Sequence, residues 1–460
     1  MTSPDALLTA SAFEERHLFG HPRGLWFLAF TEAWERFSYY GMQTLLVLYM
    51  VSQLLLPGHV EHVAGFAAFH AGLERVYGPL STQALASAIF GLYTGLVYLT
   101  PIAGGALADR LLGRTRTIML GGGLMAAGHL LMAFDISFLL ALACLAAGTG
   151  CFKGNIASQV GGLYAPGDLR RADAFQIFFL AINAGVILSP LICGTLGEVY
   201  GWHYGFGAAA IGMLAGLAIY TAGRRYLPQD RPESGAARST RAAMSRQERR
   251  RIAILLALLP ALAVAVLPNQ QIFNAYLVWG QANYDFMLFD MRLPTTWLIT
   301  LDAVVSVGFL AGMVIFWRLY SRRFDEPDEI TKMAIGASVG VIGMLVLAGA
   351  AAQAAATGGK ISLLWAIAFH TINSIAFANL LPVGLALYAR AAPAKLSATI
   401  IGIYYLHLFA ANNLTGWIGG FLSRMSATNF WFLHAALAMA SAAALFLFRG
   451  LFRHELAPTT

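Results

Sequence analysis

Long apolar stretches alternate with short polar ones along almost the whole chain. Each stretch runs for about 20 residues, enough to cross roughly 30 Å of hydrocarbon as a helix. The stretches are continuous and lack the strict apolar–polar alternation of membrane barrel strands, so the pattern predicts helices. We predict twelve membrane spans, near residues 25–50, 83–107, 117–134, 137–162, 174–196, 203–222, 252–280, 294–317, 331–352, 361–388, 397–421 and 428–449.

The composition strengthens this prediction. The chain is 58% hydrophobic and only 12% charged, whereas a soluble domain has about 25% charged residues. The expected fold class is therefore an all-α integral membrane protein. Cys144, Cys151 and Cys193 all lie inside apolar stretches, so we interpret them as packing residues without a disulfide or metal role.

The basic residues give an orientation. If the N-terminus is cytoplasmic, four of the 30 Lys and Arg residues lie in loops on the outer side and two lie inside spans. The other 24 lie in cytoplasmic tails and loops or, in the case of Lys332 and Arg449, at the cytoplasmic ends of spans. The four are Arg75, Arg292, Lys360 and Arg424, and the two are Arg36 and Lys153. The positive-inside rule then predicts a multi-pass protein of the cytoplasmic (inner) membrane with both termini in the cytoplasm. The same distribution between alternate loops argues against a nucleic-acid partner, despite a formal charge of +7.

The most basic segment divides the chain into two halves. Residues 223–251 contain nine Arg and are interpreted as a cytoplasmic linker, or alternatively as a site for anionic lipid head groups. The linker separates an N-terminal six-helix bundle, 25–222, from a C-terminal one, 252–450. The predicted cytoplasmic tails are 1–24 and 451–460. In the outward loop, residues 66–77 are compatible with a short surface helix.

Two six-helix halves around a central cavity is the architecture of the major facilitator superfamily. The segment from Gly105 to Arg116 resembles the loop between the second and third helices of that superfamily. The resemblance predicts a cytoplasmic gate in which Asp109 pairs with Arg110 and Arg114. The alternative is that these are positive-inside arginines beside an incidental aspartate.

The first predicted span carries ionisable residues, which are expensive in a bilayer and mark functional sites by default. Glu32, Glu35, Arg36, Tyr39 and Tyr40 follow one another at three- and four-residue steps, so they share one helix face. That face is expected to line a water-filled cavity. The alternative is a salt bridge that only fixes helix packing, but one of the two carboxylates would then lack a cation.

Lys153, in the fourth span, is the second cation expected in the cavity, unless it extends to the interface instead. Arg36 and Lys153 together would bind a substrate carboxylate, and Arg is able to do so bidentately. A substrate that takes these cations away from Glu32 and Glu35 would favour protonation of a glutamate. Such competition couples a proton gradient to transport without any cofactor or metal.

The chain resembles the proton-dependent oligopeptide transporter family. The resemblance lies in Glu32-x-x-Glu35-Arg36-Phe37-x-Tyr39-Tyr40-Gly41, in Tyr98 before Leu99-Thr100-Pro101, in Lys153, in Phe175 to Gly185 around Asn183, and in Ile403-Tyr404. It implies proton coupling at Glu32 and Glu35. It also implies substrate binding by Arg36, Tyr39, Tyr40, Tyr98, Lys153, Asn183 and Tyr404.

Two departures from the family pattern concern the peptide's amino group. Peptide transporters of the family carry a glutamate five residues before the tenth-helix proline, where this chain has Phe377 before Pro382. The seventh-helix Glu-Gln pair is replaced by amides at residues 269–271. Asp302, aligned with a family asparagine in the eighth span, is the substitute we expect for amine binding and proton coupling. Its partner could instead be an internal one, His370 or His407.

The sequence therefore predicts a proton-coupled symporter of di- or tripeptides or peptide-like substrates, which works by alternating access. The missing glutamate leaves open a non-peptide carboxylate, an amino acid or a conjugated metabolite, carried by symport or antiport. A non-transporting membrane sensor is a third reading. An enzyme is not expected, since no Walker loop, metal spacing or nucleophile–base set is present. Membrane lipid is an expected partner, and analogy with the superfamily favours a monomer.

Overall fold

The structure is a computed structural model that describes residues 17–165, 168–228, 245–393 and 396–456. A long helix lies on each of the first six predicted spans, and the surface helix predicted at 66–77 is present. The helices are α1 (Arg23–Tyr49), α2 (Phe66–Tyr77), α3 (Thr82–Leu107), α4 (Arg114–Leu131), α5 (Phe138–Gly162), α6 (Arg170–Ser189) and α7 (Trp202–Gly223).

The second half repeats the pattern with one break. Its helices are α8 (Arg246–Ala265), α9 (Leu267–Gln270), α10 (Ala275–Asn283), α11 (Trp297–Tyr320), α12 (Glu329–Thr357), α13 (Leu364–Ala391), α14 (Ser397–Gly419) and α15 (Ala427–Phe452). The seventh span was predicted as one continuous helix, but the axis bends by 46° between α8 and the segment Leu267–Phe273. Pro268 follows the bend, and proline has no backbone N–H to continue a helical hydrogen-bond ladder.

Short elements join the helices. Two-stranded hairpins pair β1 (His17–Leu18) with β2 (His21–Pro22), and β3 (Met287–Leu288) with β4 (Met291–Arg292). Helices α1, α3 and α6 run on into π-helical turns at Met50–Leu54, Ala108–Leu112, Pro190–Gly194 and Leu196–Tyr200. The 3₁₀ turns are Val60–His62, Asp135–Ser137, Arg224–Tyr226, Gln271–Phe273 and Gly420–Ser423.

Eight helices in the described ranges are long and apolar enough to cross a membrane, or nine if the bent pair after Arg246 is one span. The other three long helices, α1, α4 and α14, coincide with predicted spans but carry more polar residues. Helix α1 holds Glu32, Glu35 and Arg36, while α4 begins with Arg114 and Arg116. The three charged residues of α1 are buried and must face protein or water, since lipid cannot satisfy them.

The buried apolar residues divide between the two halves. One core extends from Leu25 to Leu227, and a second lies between Ile254 and Leu456. A third cluster lies in the second half, includes Phe286 beside the β3–β4 hairpin, and also contains Leu48 from α1. Most of the predicted linker, residues 229–244, lies outside the described residues, so the domain boundaries stay a prediction.

The first and last described residues, near Gly20 and Leu456, lie on the same side of the bundle, which we call the arginine-rich side. There Arg170 donates to Gly20 O at 3.2 Å, and Arg250 pairs with Glu455 at 2.6 Å. Arg390 donates to Leu456 O at 2.9 Å. The side that carries the β3–β4 hairpin is called the opposite side.

Helices α3 and α14 bring the two halves into close contact. A Cβ on Gly91 would lie 2.6 Å from both Asn412 O and Gly416 Cα. Only glycine therefore permits the two backbones to approach this closely. The contact forms a continuous wall between the halves.

Helices α6 and α11, by contrast, touch only near the opposite side. Thr300 donates to Ile187 O at 3.1 Å, but no described residue of α11 after Ala303 is buried. A helix packed along its whole length would bury one face throughout. The gap between α6 and α11 therefore widens toward the arginine-rich side.

Candidate functional site

The centre of the site is a group of three charged residues on one face of α1. Arg36 donates from Nε and Nη2 to the same oxygen of Glu32, at 2.9 and 2.6 Å. Its Nε also lies 3.2 Å from Oε2 of Glu35. The predicted spacing thus brings all three together, and all three are buried.

The carboxylates have more acceptor capacity than Arg36 can satisfy. Oε2 of Glu32 and both oxygens of Glu35 are buried and lack a hydrogen-bond donor in the described ranges. A buried, unsatisfied carboxylate is unstable unless it gains a proton or another cation. The arrangement can therefore accept a proton, as the sequence predicted from two acids and one arginine.

Lys153, from α5, supplies the second cation. Its ammonium lies 4.6 Å above the centre of the Tyr98 ring of α3 and within electrostatic range of both Glu35 and Arg36. A cation over an aromatic face is stabilised by the ring quadrupole. The structure thus brings Lys153 and Tyr98 together beside the α1 cluster.

Aromatic side chains from both halves surround these charges. Tyr39 and Tyr40 pack edge to face at 5.2 Å, and Tyr40 lies 5.9 Å from Phe273 of the second half. Tyr98 and Tyr405 pack around the same small apolar cluster between α3, α8 and α14. Tyr405, which also lies within electrostatic range of Arg36, is a cavity residue that the sequence reasoning missed.

In the second half, Asp302 has an internal partner. Its Oδ1 is 2.9 Å from Nδ1 of His370, and Nε2 of that ring is 3.0 Å from the Tyr276 hydroxyl. Of the two histidines considered from the sequence, His370 is therefore the one in contact, while Nδ1 of His407 lies against Tyr404 O. Asp302 is also within electrostatic range of Tyr40 of α1.

Two predicted substrate residues donate hydrogen bonds to backbone carbonyls and not to the charged groups. The hydroxyl of Tyr404 donates to Leu381 O at 2.7 Å, and its ring packs on Tyr388 inside the second half. Asn183 donates to Phe179 O of its own helix at 2.8 Å. Their roles in binding stay predictions.

The opposite side is closed by contacts between α6 and the start of α11, which we call the opposite-side seam. The carboxylate of Glu198 accepts the backbone N–H groups of Thr295 and Thr296 at 2.9 and 2.8 Å. Trp297 donates to Thr195 at 2.9 Å. Hydrogen bonds from backbone N–H groups to a carboxylate are charge-assisted and stronger than bonds between neutral groups.

The seventh-span amides belong to a second closing network on this side. Ser87 of α3 donates to Asn274 at 2.9 Å, and Asn274 donates to Thr415 O at 3.2 Å. Gln271 lies between Thr415 O, at 3.2 Å, and Nε2 of His434, at 3.1 Å. Gln271, one of the amides at residues 269–271, therefore joins α14 to α15, and the nearby Asn274 joins α3 to α14.

A model of the POT family matches residues 115–246 and 236–435. The chain belongs to the POT family. It is 30% identical to a di-/tripeptide transporter of Lactococcus lactis subsp. cremoris over 85% of this chain and 88% of the relative. It is 28% identical to the peptide transporter YePEPT of Yersinia enterocolitica subsp. palearctica, over 88% of this chain and 89% of the relative.

The solved structures agree with this assignment. A crystal structure of a POT peptide transporter in complex with sulfate superposes with a TM-score of 0.83 at 26% identity. The superposition covers 98% of this chain and 99% of that one. The predicted fold, an all-α membrane protein of the major facilitator superfamily, is thereby confirmed.

The residues of the predicted gate of this POT family member do not pair with one another in the part of the chain that the structure describes. Asp109 and Arg110 lie in the π-helical turn after α3, and Arg114 begins α4. All three are exposed, and no salt bridge or hydrogen bond joins them to each other among the described residues. Their latching role stays a prediction.

Proposed function

We propose that the protein is a proton-coupled symporter of di- or tripeptides, or of peptide-like substrates, that works by alternating access. The observation that carries the proposal is the buried α1 cluster, in which one arginine faces two carboxylates. The open arginine-rich side and the sealed opposite side fit one state of an alternating-access cycle. The relatives' names, di-/tripeptide transporter and peptide transporter, support the substrate class.

In this proposal Arg36 and Lys153 receive the substrate carboxylate. The Nη1 group of Arg36 makes no hydrogen bond in the described ranges, so it has donors to offer an incoming anion. When the substrate draws Arg36 away from the glutamates, Glu32 or Glu35 takes up the proton. Glu35 suits this task better because neither of its oxygens accepts a hydrogen bond from a described residue.

The rest of the site receives the body and the other end of the substrate. Tyr39, Tyr40 and Tyr98 form the wall beside the cations, and Asn183 and Tyr404 are proposed as further contacts. Asp302 faces the amino end. The net charge of the cavity is −1 when all five ionisable groups, Glu32, Glu35, Arg36, Lys153 and Asp302, are ionised. One bound proton therefore makes the cavity neutral, which favours the change between its two orientations in the bilayer.

We further propose that the arginine-rich side faces the cytoplasm in an inner membrane, following the positive-inside rule. Asp109, Arg110 and Arg114 would then close the cavity on the cytoplasmic side when the transporter turns outward. The energy comes from the proton gradient alone, and the protein acts as a monomeric carrier without enzymatic activity.

Uptake into proteoliposomes tests the proposal. Purified protein in liposomes with an inward proton gradient should accumulate labelled dialanine, and a protonophore should abolish the accumulation. Alanine and N-acetyl-dialanine serve as parallel substrates. Failure to accumulate any peptide, from a preparation that retains a cooperative unfolding transition, would contradict peptide transport.

A non-peptide carboxylate is the second candidate substrate. Phe377 occupies the position of the family's amine-binding glutamate, and Asp302 is already bonded to His370. A site without a free acid at that end favours substrates that lack an ammonium group. A thermal-shift screen of amino acids, blocked peptides and simple carboxylates would reveal this, because ligands of the folded state raise the melting temperature.

A further inference from the structure

Asp302, His370 and Tyr276 form a buried polar chain whose inner members the proposed mechanism does not use. The Asp302 side chain is 13% exposed, whereas the His370 side chain has no exposure at all. A ligand in the cavity can therefore touch the carboxylate but not the imidazole behind it. Among the described residues, His370 is the one basic side chain within 4 Å of the Asp302 carboxylate.

The hydrogen-bonded series Asp302–His370–Tyr276 accommodates two protonation states of His370, and the ring keeps both of its hydrogen bonds in each. In the neutral ring, Nδ1–H donates to Asp302 and Nε2 accepts the Tyr276 hydroxyl proton. In the imidazolium, Nδ1–H still donates to Asp302, while Nε2–H donates to the Tyr276 oxygen. The observed distances of 2.9 and 3.0 Å fit both states. The proton gained or lost sits on Nε2.

We propose that protonated His370 and a cationic group of the substrate are alternative partners for Asp302. This inference rests on the proposed function of the cavity as a carrier site for carboxylate substrates. When His370 is an imidazolium, Asp302 is already neutralised and a substrate ammonium adds little. When His370 is neutral, Asp302 keeps a net charge, and an ammonium group is its remaining partner.

Few other ionisable groups surround Asp302, His370 and Tyr276. Tyr276 and Tyr284 come from the α10 segment, Asp302 from α11, and Tyr40 approaches Asp302 from α1. Two other helices packed on α13 carry their ionisable residues at their arginine-rich ends, α8 at Arg246 to Arg251 and α12 at Glu329 and Lys332. On α14, the ring of His407 contacts Tyr404 O instead. The charge that balances Asp302 is therefore set mainly by His370.

The consequence is a selectivity that depends on pH. With His370 protonated, peptides with a blocked amino group should bind as well as free peptides. With His370 neutral, free peptides should gain an advantage of about tenfold, the size of one charge-assisted hydrogen bond. His370 thus acts as a specificity-determining residue through Asp302.

Binding calorimetry on the purified protein tests this inference. Dissociation constants for dialanine and N-acetyl-dialanine are measured at about pH 5 and about pH 7.5, on either side of histidine's ordinary titration range. The dialanine concentration is corrected for its ammonium fraction. In the wild type the ratio of the two constants should change about tenfold between these pH values. In His370→Gln, which is neutral throughout, free dialanine should be favoured equally at both.

His129→Gln is the matched control. His129 is also fully buried, lies in α4 of the other half, and has no partner for either ring nitrogen in the described part of the chain. This variant should keep the wild-type change of ratio with pH. If His370→Gln does not fold, His370→Asn replaces it.

The outcomes separate the inference from the proposed function. A wild-type-like pH dependence in His370→Gln overturns the inference while peptide binding stands. If the wild type binds neither peptide, peptide transport is contradicted, and the inference is tested on the empty protein with ring-labelled histidine. Its infrared difference spectrum between the two pH values should contain an imidazole signal that His370→Gln lacks, and identical spectra overturn the inference.

Discussion

Arg36 and Glu32 are joined through a single carboxylate oxygen. Both Nε and Nη2 of Arg36 reach Oε1, at 2.9 and 2.6 Å, and Oε2 of Glu32 is left buried without a donor. A fork-to-fork pair would use both oxygens and would be harder to separate. The pair therefore holds Arg36 in position while leaving part of its guanidinium free for a substrate.

Glu35 is the residue whose neutralisation should uncouple transport from protons. Glu35→Gln mimics the protonated acid permanently, so proton-driven accumulation of dialanine should fall to the level seen without a gradient. Exchange of labelled for unlabelled dialanine across the membrane should persist, because it needs no net proton movement. Both are measured in the same proteoliposomes.

Glu32→Gln is the comparison for this variant. It weakens a charge-assisted pair worth about 1.5–3 kcal/mol, so Arg36 loses its position and both accumulation and exchange should fall by roughly ten- to a hundredfold. If Glu35→Gln still accumulates dialanine in response to an imposed gradient, Glu35 is not the proton carrier.

Tyr98 should matter through its ring. Tyr98→Leu removes the aromatic face under Lys153, whose ammonium is 4.6 Å from the ring centre. A cation–π contact contributes about 0.5–2 kcal/mol, so the dialanine dissociation constant should rise by roughly two- to thirtyfold. Calorimetry at fixed pH gives the value.

Tyr98→Phe is the matched control because it keeps the ring and loses only the hydroxyl. It should stay close to the wild type. Equal weakening in the Phe and Leu variants would assign the effect to the hydroxyl instead of the ring.

The sequence predicted the helices and the α1 cluster well because the constraints there are local. Bilayer thickness sets the length of a span, and the high cost of a charge in lipid makes Glu32, Glu35 and Arg36 conspicuous. Their spacing within one helix also fixes their shared face. All of these properties are readable from neighbouring positions.

The second half of the site was less predictable because it depends on tertiary contacts. The sequence offered both His370 and His407 as partners of Asp302, and only packing of α11 on α13 chooses between them. Tyr404 and Tyr405 differ by one position, or about 100° around a helix, so a small error in register exchanges a core residue for a cavity residue. The amides of Gln271 and Asn274 likewise gain their closing role only through α3 and α14.

Glu198 should control the closed state of the opposite side. Its carboxylate accepts two backbone N–H groups of the other half, and each charge-assisted hydrogen bond contributes about 1.5–3 kcal/mol. Glu198→Ala should therefore shift the population by at least roughly tenfold toward states open on that side. Spin labels at Tyr200 and Arg292, measured by pulsed electron resonance, should show a longer distance.

Asp285→Asn is the control on the same side. Its carboxylate accepts only the N–H of Met287 within its own loop, so the label distances should match those of the unsubstituted protein. An unchanged distance distribution in Glu198→Ala would mean that the remaining contacts of the opposite-side seam suffice to hold it closed.

Gly91 should be intolerant of even a methyl group. An added Cβ would lie 2.6 Å from Gly416 Cα and Asn412 O, both of them backbone atoms that cannot rotate away. Overpacking of this kind costs about 1–3 kcal/mol, so Gly91→Ala should lower the melting temperature in detergent and slow dialanine uptake. Gly123→Ala is the control, since no atom lies within 4 Å of its added Cβ and alanine is favoured over glycine in a helix by about 0.5–1 kcal/mol. Equal melting temperatures for the two variants would mean that α3 and α14 move apart to admit the methyl group without a loss of stability. The packing between the two halves would then not depend on this contact.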